Sequence, residues 1–328
     1  MRRDTKILIA EPLDFSPAAL AVLQRVGDVE LRECRREDFA AAFAEYDVIW
    51  FRLAFRIDER TIGSRPRCRI LATPVTGLDH IDLDACDSQG VRVVSLRGET
   101  EFLKNVRATA ELTIGLTLSL LRRIPSAHSA ARQGNWDRDS FRGRELFGRT
   151  VGIVGMGRLG TLVAGYFKAF GTRVIGYDPR DDYPTEAAER VPQLDDLLAQ
   201  SDIVVLLVKY EESTRGLIAR AEFAKMKPGA VLINTSRGGV VDEPALLAAL
   251  DSGRLAGAAL DVLDGEPAIS ADHAIVSYAH DHDNVLLTPH IGGNTMESFE
   301  KTEAFLAEKV VQAIGDRTDI LVSETVHD

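Results

Sequence analysis

Short apolar runs alternate with stretches of helical periodicity from the start of the chain. Residues 6–10, KILIA, are predicted to form a first strand. A helix is predicted next, because Leu20 and Leu23 follow Ser16, a favourable N-cap, and Pro17 suits the first helical position. The alternation continues with predicted strands at 29–31, 48–51, 70–73 and 91–95 and predicted helices near 39–43 and 83–89. Such alternation favours a parallel sheet with right-handed crossovers, so roughly the first 100 residues are predicted to form a small α/β domain.

A second series of strands begins at residue 150 and is preceded by helical sequence. A long helix is predicted from about 107 to 121, and a further helical piece reaches about 133 beyond an interruption at Pro125. Residues 134–146 have no periodicity and are predicted to form an exposed arm. Later strands are predicted at 150–154, 173–177, 203–208, 231–235, 256–260 and 285–287, with helices at 158–170, 245–250 and 297–314.

Composition and charge narrow the class of protein. The 328 residues suffice for two ordinary domains, and 45% of them are hydrophobic, as in a globular protein with a substantial core. A net charge of −11 argues against nucleic acid or an anionic membrane as the main partner, and no segment is apolar over the length of a bilayer. The N-terminus has no signal-peptide core, and Cys34, Cys68 and Cys86 lack metal-ligand spacing. We therefore expect a cytoplasmic protein with reduced thiols and no metal.

Residues 150–178 combine a strand, a glycine turn, a helix and a second strand. Gly155, Gly157 and Gly160 have the spacing G-x-G-x-x-G, in which the first permits a tight turn, the second lets backbone approach a pyrophosphate and the third lets the helix pack closely on the sheet. The helix N-terminus would offer N–H groups and a positive dipole end to the phosphates. Glycine turns often serve packing alone, but this context favours a dinucleotide.

Asp178 ends the second of these strands and bears on the choice of cofactor. A carboxylate there can accept hydrogen bonds from the adenosine ribose and would repel a 2′-phosphate, so NAD is favoured over NADP. Arg180 weakens this preference because an arginine nearby can hold the phosphate. The alternative is that Asp178 is only a turn residue before Pro179.

Several polar residues follow predicted strands, where open α/β sheets bind ligands. Arg237 can hold a carboxylate or polarise a carbonyl, although a surface ion pair is the alternative. His290 is a candidate acid and base if a carboxylate such as Glu266 is available, although a lone histidine is usually structural. Gly77 permits a turn whose N–H groups could bind an anion. The run AHDHDN at 279–284 suggests a metal site only weakly, and a solvated loop is favoured.

Four motifs occur together in one order: GMGRLG, NTSRGGVVDE, DVLDGEP and TPHIGG. On these motifs the chain, from about residue 52 to 302, resembles the D-isomer-specific 2-hydroxyacid dehydrogenases, which include D-3-phosphoglycerate dehydrogenase and glyoxylate/hydroxypyruvate reductase. The resemblance implies an α/β fold in which a Rossmann dinucleotide-binding domain, 104–289, is inserted into a smaller flavodoxin-like α/β substrate domain, 1–103 plus 290–328. It further implies an NAD-dependent oxidoreductase, a 2-keto or 2-hydroxy acid substrate and a homodimer formed through the dinucleotide domain.

The resemblance also assigns residues. It implies that Arg237, Glu266 and His290 are catalytic: His290 exchanges the proton, Glu266 pairs with its imidazole, and Arg237 holds the substrate. The loop of Val75, Thr76 and Gly77 would bind the substrate carboxylate through its amides. The cofactor contacts it implies are Gly155, Gly157, Arg158, Leu159, Gly160, Asp178, Thr235, Ser236, Asp261, Gly292 and Gly293, with Asp261 at the nicotinamide end.

Two departures from the family pattern concern specificity. Lys209 stands where many members have proline, which puts an adenine-side contact in doubt. Phosphoglycerate dehydrogenases often have arginine, a small residue and arginine after the third strand, whereas this chain has Arg52, Leu53 and Ala54. One arginine holds a phosphate less well than two, so small 2-keto acids such as glyoxylate or hydroxypyruvate are predicted, with Arg52 available to a second anionic group.

Two alternative functions remain compatible with the sequence. Transcriptional corepressors that sense NAD share this fold and can keep the catalytic triplet, although this chain has no long disordered tails. A relative that acts on formate or phosphite is a closer alternative, but no residue of the chain favours it.

Overall fold

The chain divides into two compact units. The structure, a computed structural model, describes residues 5–324, and the side chains as far as residue 316. Contacts within the chain define a first unit of Met1–Val106 and Thr295–Asp328 and a second unit of Arg107–Asn294. The second unit is therefore a continuous segment inserted into the first.

The elements follow each other in the predicted alternation. The first unit contains β1 (Lys6–Ile9), α1 (Pro17–Leu23), β2 (Asp28–Leu31), α2 (Phe39–Glu45), β3 (Val48–Trp50), α3 (Glu59–Ile62), β4 (Ile70–Ala72), α4 (Leu83–Ser88), β5 (Arg92–Val94) and α5 (Thr100–Leu103). The second unit contains α6 (Ala108–Leu121), α7 (Ile124–Arg132), β6 (Thr150–Val154), α8 (Arg158–Ala169), β7 (Arg173–Tyr177), β8 (Glu189–Arg190), α9 (Leu194–Gln200), β9 (Ile203–Leu206), α10 (Arg220–Lys225), β10 (Ala230–Asn234), α11 (Glu243–Asp251), β11 (Leu255–Leu260), α12 (Ala274–Asp281) and β12 (Val285–Leu287). The chain then returns to the first unit with α13 (Met296–Glu324).

The first unit is built on a five-stranded parallel sheet in the order β2-β1-β3-β4-β5. Its short strands are almost wholly apolar where they are central, and Trp50 and Phe51 are completely buried. Helix α1 begins as predicted, because the Ser16 hydroxyl accepts a hydrogen bond from the Ala19 N–H at 3.3 Å and Pro17 occupies the first turn. Helix α13 packs against α1 and against the sheet at β4 and β5.

The second unit is built on a seven-stranded parallel sheet in the order β12-β11-β10-β9-β6-β7-β8. After β6 the chain adds β7 on one side and β9 on the other, so the strand order reverses at β6. In an open α/β sheet this reversal opens a ligand crevice at the carboxyl ends of the strands. The predicted fold class, α/β with a Rossmann domain, is confirmed. Among the described residues, no helix has the length and apolarity needed to cross a membrane.

The unit boundaries differ by a few residues from the predicted ones, which lay after 103 and after 289. The contacts divide the chain after Val106 and after Asn294. The second difference has a clear cause: the backbone N–H groups of Ile291 and Gly292 donate to the Asp261 carboxylate, which holds this segment in the second unit.

One local prediction needs correction. The run 279–284 was expected to be a solvated loop, but its first three residues are the end of α12. His282 directly follows this helix, and its ring stacks on Tyr278 with centroids 3.9 Å apart. The helix was missed because its apolar face is short and its last turn is rich in histidine and aspartate. Among the described residues, no group of three or more His, Cys, Asp or Glu side chains could hold a metal ion.

Candidate active site

The glycine turn between β6 and α8 has the geometry that a dinucleotide requires. Gly155 has φ of 95°, and a Cβ there would lie 2.6 Å from the Leu207 carbonyl oxygen. A Cβ on Gly160 would lie 2.2 Å from the Gly155 carbonyl oxygen. The first glycine is therefore fixed by the turn and the third by the close approach of helix and sheet.

Gly157 differs from the other two glycines because its surroundings are open. A Cβ on Gly157 would meet only the Arg180 guanidinium, at 4.0 Å. Gly157 is also the N-cap of α8 and has no side chain to bind the N–H groups of the first turn. An open glycine before the N–H groups of a 12-residue helix fits a pyrophosphate, so the residues present suit a dinucleotide.

Asp178 lies at the end of β7 and organises this edge of the sheet. It is 7% exposed, and its Oδ2 accepts the Met156 N–H of the glycine turn at 2.9 Å. Arg180 donates to the same carboxylate through Nε at 2.9 Å, through a terminal nitrogen at 3.0 Å and through its backbone N–H at 3.1 Å. Burial acts to raise the pKa of Asp178, but the hydrogen bonds from Arg180 and Met156 outweigh it and lower the pKa.

These four donors occupy the lone pairs of the Asp178 carboxylate, which has about four acceptor positions. Arg180 was expected to weaken the preference for NAD by holding a 2′-phosphate. In the structure its side chain is 51% exposed, and its guanidinium pairs with the Asp178 carboxylate.

His290 and Glu266 form a direct pair at the end of β12. The His290 Nδ1 lies 3.0 Å from the Glu266 Oε1, and the two side chains are 28% and 26% exposed. The backbone of His290 is left-handed, with φ of 53°, an uncommon conformation for a residue with a side chain. Its N–H donates to the carbonyl oxygens of Asp261 at 2.8 Å and Thr288 at 3.0 Å, which holds the turn. Because Nδ1 faces the carboxylate, Nε2 is the nitrogen that can exchange a proton with a substrate.

Asp261 is the hub of the loop that carries His290. It is 1% exposed. Its Oδ1 accepts hydrogen bonds from the Thr288 hydroxyl at 2.6 Å and from the Ile291 N–H at 2.9 Å. Its Oδ2 accepts a hydrogen bond from the Gly292 N–H at 2.8 Å. Burial raises the pKa of Asp261, and these hydrogen bonds oppose the rise. The sequence suggested a cofactor contact for this residue and missed its role in positioning His290. The sequence TPHIGG could have indicated this role, because the successive N–H groups of such a loop need a nearby acceptor.

Arg237 lies in the tight loop after β10. Asn234 shapes this loop, because its Oδ1 accepts the Ser236 N–H at 3.0 Å and its Nδ2 donates to the Arg237 carbonyl at 2.9 Å. Gly238 is required next, since a Cβ there would lie 2.0 Å from the Leu263 carbonyl carbon. Thr235 is held by a 2.8 Å hydrogen bond with the hydroxyl of Thr113 on α6. The loop backbone is thus fixed around a half-buried arginine.

The structure brings most of the predicted site residues to one edge of the second unit. Strands β10, β11 and β12 are neighbours, and Arg237, Asp261 and His290 follow them in turn. The glycine turn follows β6 on the same sheet edge. The predicted residues of this edge are Gly155, Gly157, Arg158, Leu159, Gly160, Asp178, Thr235, Ser236, Arg237, Asp261, Glu266, His290, Gly292 and Gly293. The four predicted substrate residues, Arg52, Val75, Thr76 and Gly77, belong to the first unit and follow β3 and β4 there.

A parallel sheet with this glycine turn, a buried aspartate at the end of β7, and an arginine, a glutamate and a histidine in the loops after later strands defines a Rossmann domain of the dehydrogenase type. The family model for the D-isomer specific 2-hydroxyacid dehydrogenase NAD-binding domain matches residues 114–292. The chain belongs to the D-isomer specific 2-hydroxyacid dehydrogenase family, as its motifs predicted.

The relatives span several enzymes. The chain is 38% identical over 316 residues to D-3-phosphoglycerate dehydrogenase of Mycobacterium tuberculosis, covering 94% of this chain and 57% of that protein. It is 33% identical over 314 residues to hydroxypyruvate reductase of Thermotoga maritima, covering 94% and 98%. The crystal structure of D-lactate dehydrogenase from Aquifex aeolicus with NAD and lactic acid has a TM-score of 0.79 and 29% identity, covering 95% and 96%. The chain therefore spans little more than half the length of the phosphoglycerate dehydrogenases it matches.

Proposed function

We propose that this protein is an NAD-dependent oxidoreductase that interconverts a small 2-keto acid and the corresponding D-2-hydroxy acid. The observation that carries the proposal is the Glu266–His290 pair at 3.0 Å, next to the Arg237 loop, in a chain of this family. Relatives matched over nearly the whole chain are named as reductases and dehydrogenases, which favours an enzyme over the NAD-sensing corepressor alternative.

The residues of the second unit can donate and accept the proton that the reaction requires. When bound, NADH supplies the hydride that is delivered to C2 of the keto acid. His290, protonated, gives its Nε2 proton to the carbonyl oxygen and takes it back in the reverse direction. Glu266 fixes the ring orientation and favours the imidazolium through its charge. Arg237 pairs with the substrate carboxylate and carbonyl oxygen and so presents C2 to the nicotinamide. The amides of Val75, Thr76 and Gly77 are proposed as the second contact of the carboxylate.

The substrate class is tested with a panel of 2-keto acids. We expect NADH oxidation with glyoxylate and hydroxypyruvate and a D-configured product from hydroxypyruvate on chiral chromatography. NADH binding without turnover of any keto acid would support the corepressor alternative. Reduction of NAD⁺ by formate or phosphite, without turnover of any keto acid, would support the alternative in which the enzyme acts on those compounds.

The cofactor preference is a separate prediction. Because the Asp178 carboxylate accepts ribose hydroxyls and repels a 2′-phosphate, kcat/KM should be higher with NADH than with NADPH. Asp178→Ala should reduce this preference by about tenfold or more, since one unit charge near the phosphate is lost. Steady-state kinetics with both cofactors checks it, and Asp181→Ala, a change to an exposed acid three residues on, is the matched control. A wild-type preference for NADPH would contradict the ribose assignment.

We further propose a homodimer in the cytoplasm. The expected anchors on the arm 134–146 are Trp136 and Phe141, and Trp136 is 87% exposed. Phe141 is half-buried, with the Arg123 guanidinium 5.8 Å from its ring centroid, whereas Phe147 just beyond the arm is 77% exposed. Exposed aromatic residues on an arm are suitable anchors for a partner subunit. The three cysteines are free and buried, which suits a reducing compartment.

The dimer prediction is checked by light scattering. Trp136→Asp should shift the protein towards monomer at micromolar concentration, because it replaces an anchor by a charge. Asp137→Asn on the same arm should leave the dimer intact. A wild-type monomer at working concentration would contradict the assignment of the arm.

A further inference from the structure

Arg52 lies beside the loop proposed to bind the substrate carboxylate. It follows β3, and the loop of Val75–Gly77 follows β4, the neighbouring strand of the same parallel sheet. The chain just before this loop is linked to Arg52, because the hydroxyl of Thr73, two residues before Val75, donates to the Arg52 carbonyl oxygen at 3.4 Å. A cation exposed at this position could therefore attract a second anionic group of the substrate.

The Arg52 guanidinium, however, is committed within the first unit. Its Nε and one terminal nitrogen donate to the Glu303 Oε1 at 3.0 and 2.5 Å, and its other terminal nitrogen donates to the Leu13 carbonyl at 2.9 Å. Its central carbon lies 4.5 Å from the centroid of the Phe299 ring. The Arg52 side chain is 13% exposed and that of Glu303 is 0% exposed.

Glu303 is itself fixed, so the pair cannot easily separate. Its second oxygen accepts the Ser16 N–H at 2.7 Å, at the start of α1. Burial raises the pKa of Glu303, and the hydrogen bonds from Ser16 and Arg52 oppose the rise. A further carboxylate, Glu11, accepts the Arg52 backbone N–H at 2.5 Å. Glu303 thus pairs with the guanidinium and Glu11 adds a second negative charge at the Arg52 backbone, so no net positive charge remains at this site.

We propose that Glu303 is a specificity-determining residue that neutralises Arg52, so that the enzyme selects 2-keto acids without a distal phosphate or carboxylate. This rests on the proposed function and narrows its substrate class to that of hydroxypyruvate and glyoxylate. It replaces the expectation that Arg52 binds a second anionic group of the substrate. The Arg52 side chain packs between β3 and α13, where it is not available to a ligand.

Loss of the Glu303 charge should change substrate selection measurably. With Glu303→Gln, the site loses one negative charge, and the Arg52 guanidinium loses its ion-pair partner. A unit charge within several ångströms of a phosphate, at an effective dielectric constant of about 20, is worth at least about tenfold in relative kcat/KM. Glu300→Gln, an exposed acid on the same helix, is the matched control and should change nothing.

The experiment compares kcat/KM for hydroxypyruvate and for its phosphate ester. Wild type should prefer hydroxypyruvate, Glu303→Gln should raise the ester-to-hydroxypyruvate ratio about tenfold, and high salt should cancel the rise. The double variant Arg52→Met/Glu303→Leu should show the wild-type ratio; it removes both partners of a buried pair, a change that proteins often tolerate. It therefore also tests the proposal if Glu303→Gln does not fold.

A binding measurement separates this proposal from the proposed function. Titration with inorganic phosphate, followed by phosphorus NMR, should show binding to Glu303→Gln and none to wild type or to the double variant. If wild type turns over no keto acid, the proposed function fails while the phosphate titration still decides the role of Glu303. A wild-type preference for the ester, a lower ester ratio in the double variant, or a folded Glu303→Gln with unchanged ratio and no phosphate binding would overturn the proposal.

Discussion

Replacement of His290 by asparagine is expected to lower kcat for keto-acid reduction by about 10²–10⁴-fold while NADH still binds. Asparagine keeps the backbone N–H that donates to the Asp261 and Thr288 carbonyl oxygens, but its side chain cannot deliver a proton at neutral pH. The backbone of residue 290 is left-handed, with φ of 53°, a conformation that asparagine tolerates better than most residues. The substitution therefore removes the acid and base without breaking the turn that Asp261 organises.

The measurement is steady-state NADH oxidation combined with a fluorescence titration of NADH. His280→Asn is the matched control, because the His280 side chain is 86% exposed at the end of α12 and should leave kcat unchanged. If His290→Asn kept kcat within about threefold of wild type, another group would have to supply the proton.

Replacement of Glu266 by glutamine should have the next largest effect, a loss of about 10²-fold in kcat. The Glu266 carboxylate lies 3.0 Å from the His290 Nδ1, so it orients the ring. Glutamine keeps the shape of the side chain but has no charge to balance the protonated ring that donates the proton. The loss should therefore appear in kcat, while NADH still binds.

Steady-state kinetics of hydroxypyruvate reduction, combined with a fluorescence titration of NADH, checks this. Glu297→Gln, an exposed acid near the start of α13, is the control. A Glu266→Gln variant that kept kcat within about threefold of wild type would show that Glu266 acts only through packing.

Most of the fold could be predicted because short stretches of sequence determine its strands, turns and longer helices. Strand β6, the glycine turn and α8 occur within 20 consecutive residues, and their order alone requires a parallel sheet with a crossover. The two-residue strand β8 and the short helices α3, α5, α9, α10 and α12 were missed because none has a long apolar period. The contacts end the second unit at Asn294, five residues beyond the expected boundary, and only the structure shows that the Gly292 N–H bonds to Asp261.

The motifs predicted the members of the candidate site but not their partners. The pairing of Glu266 with His290 was expected from the family, whereas the hub at Asp261 and the occupation of Asp178 by Arg180 were not. The largest surprise is Arg52, which pairs with Glu303, 251 residues away. No local pattern connects residues so far apart, and only packing of α13 on the sheet brings the two charges together.

Transfer of deuterium from NADH labelled at its reactive position tests the central claim most directly. With glyoxylate or hydroxypyruvate as substrate, mass spectrometry should find one deuterium at C2 of the hydroxy acid produced by wild type, and almost no labelled product with His290→Asn. If labelled NADH bound to the protein but no deuterium reached any 2-keto acid, the proposed 2-hydroxyacid dehydrogenase activity would be contradicted.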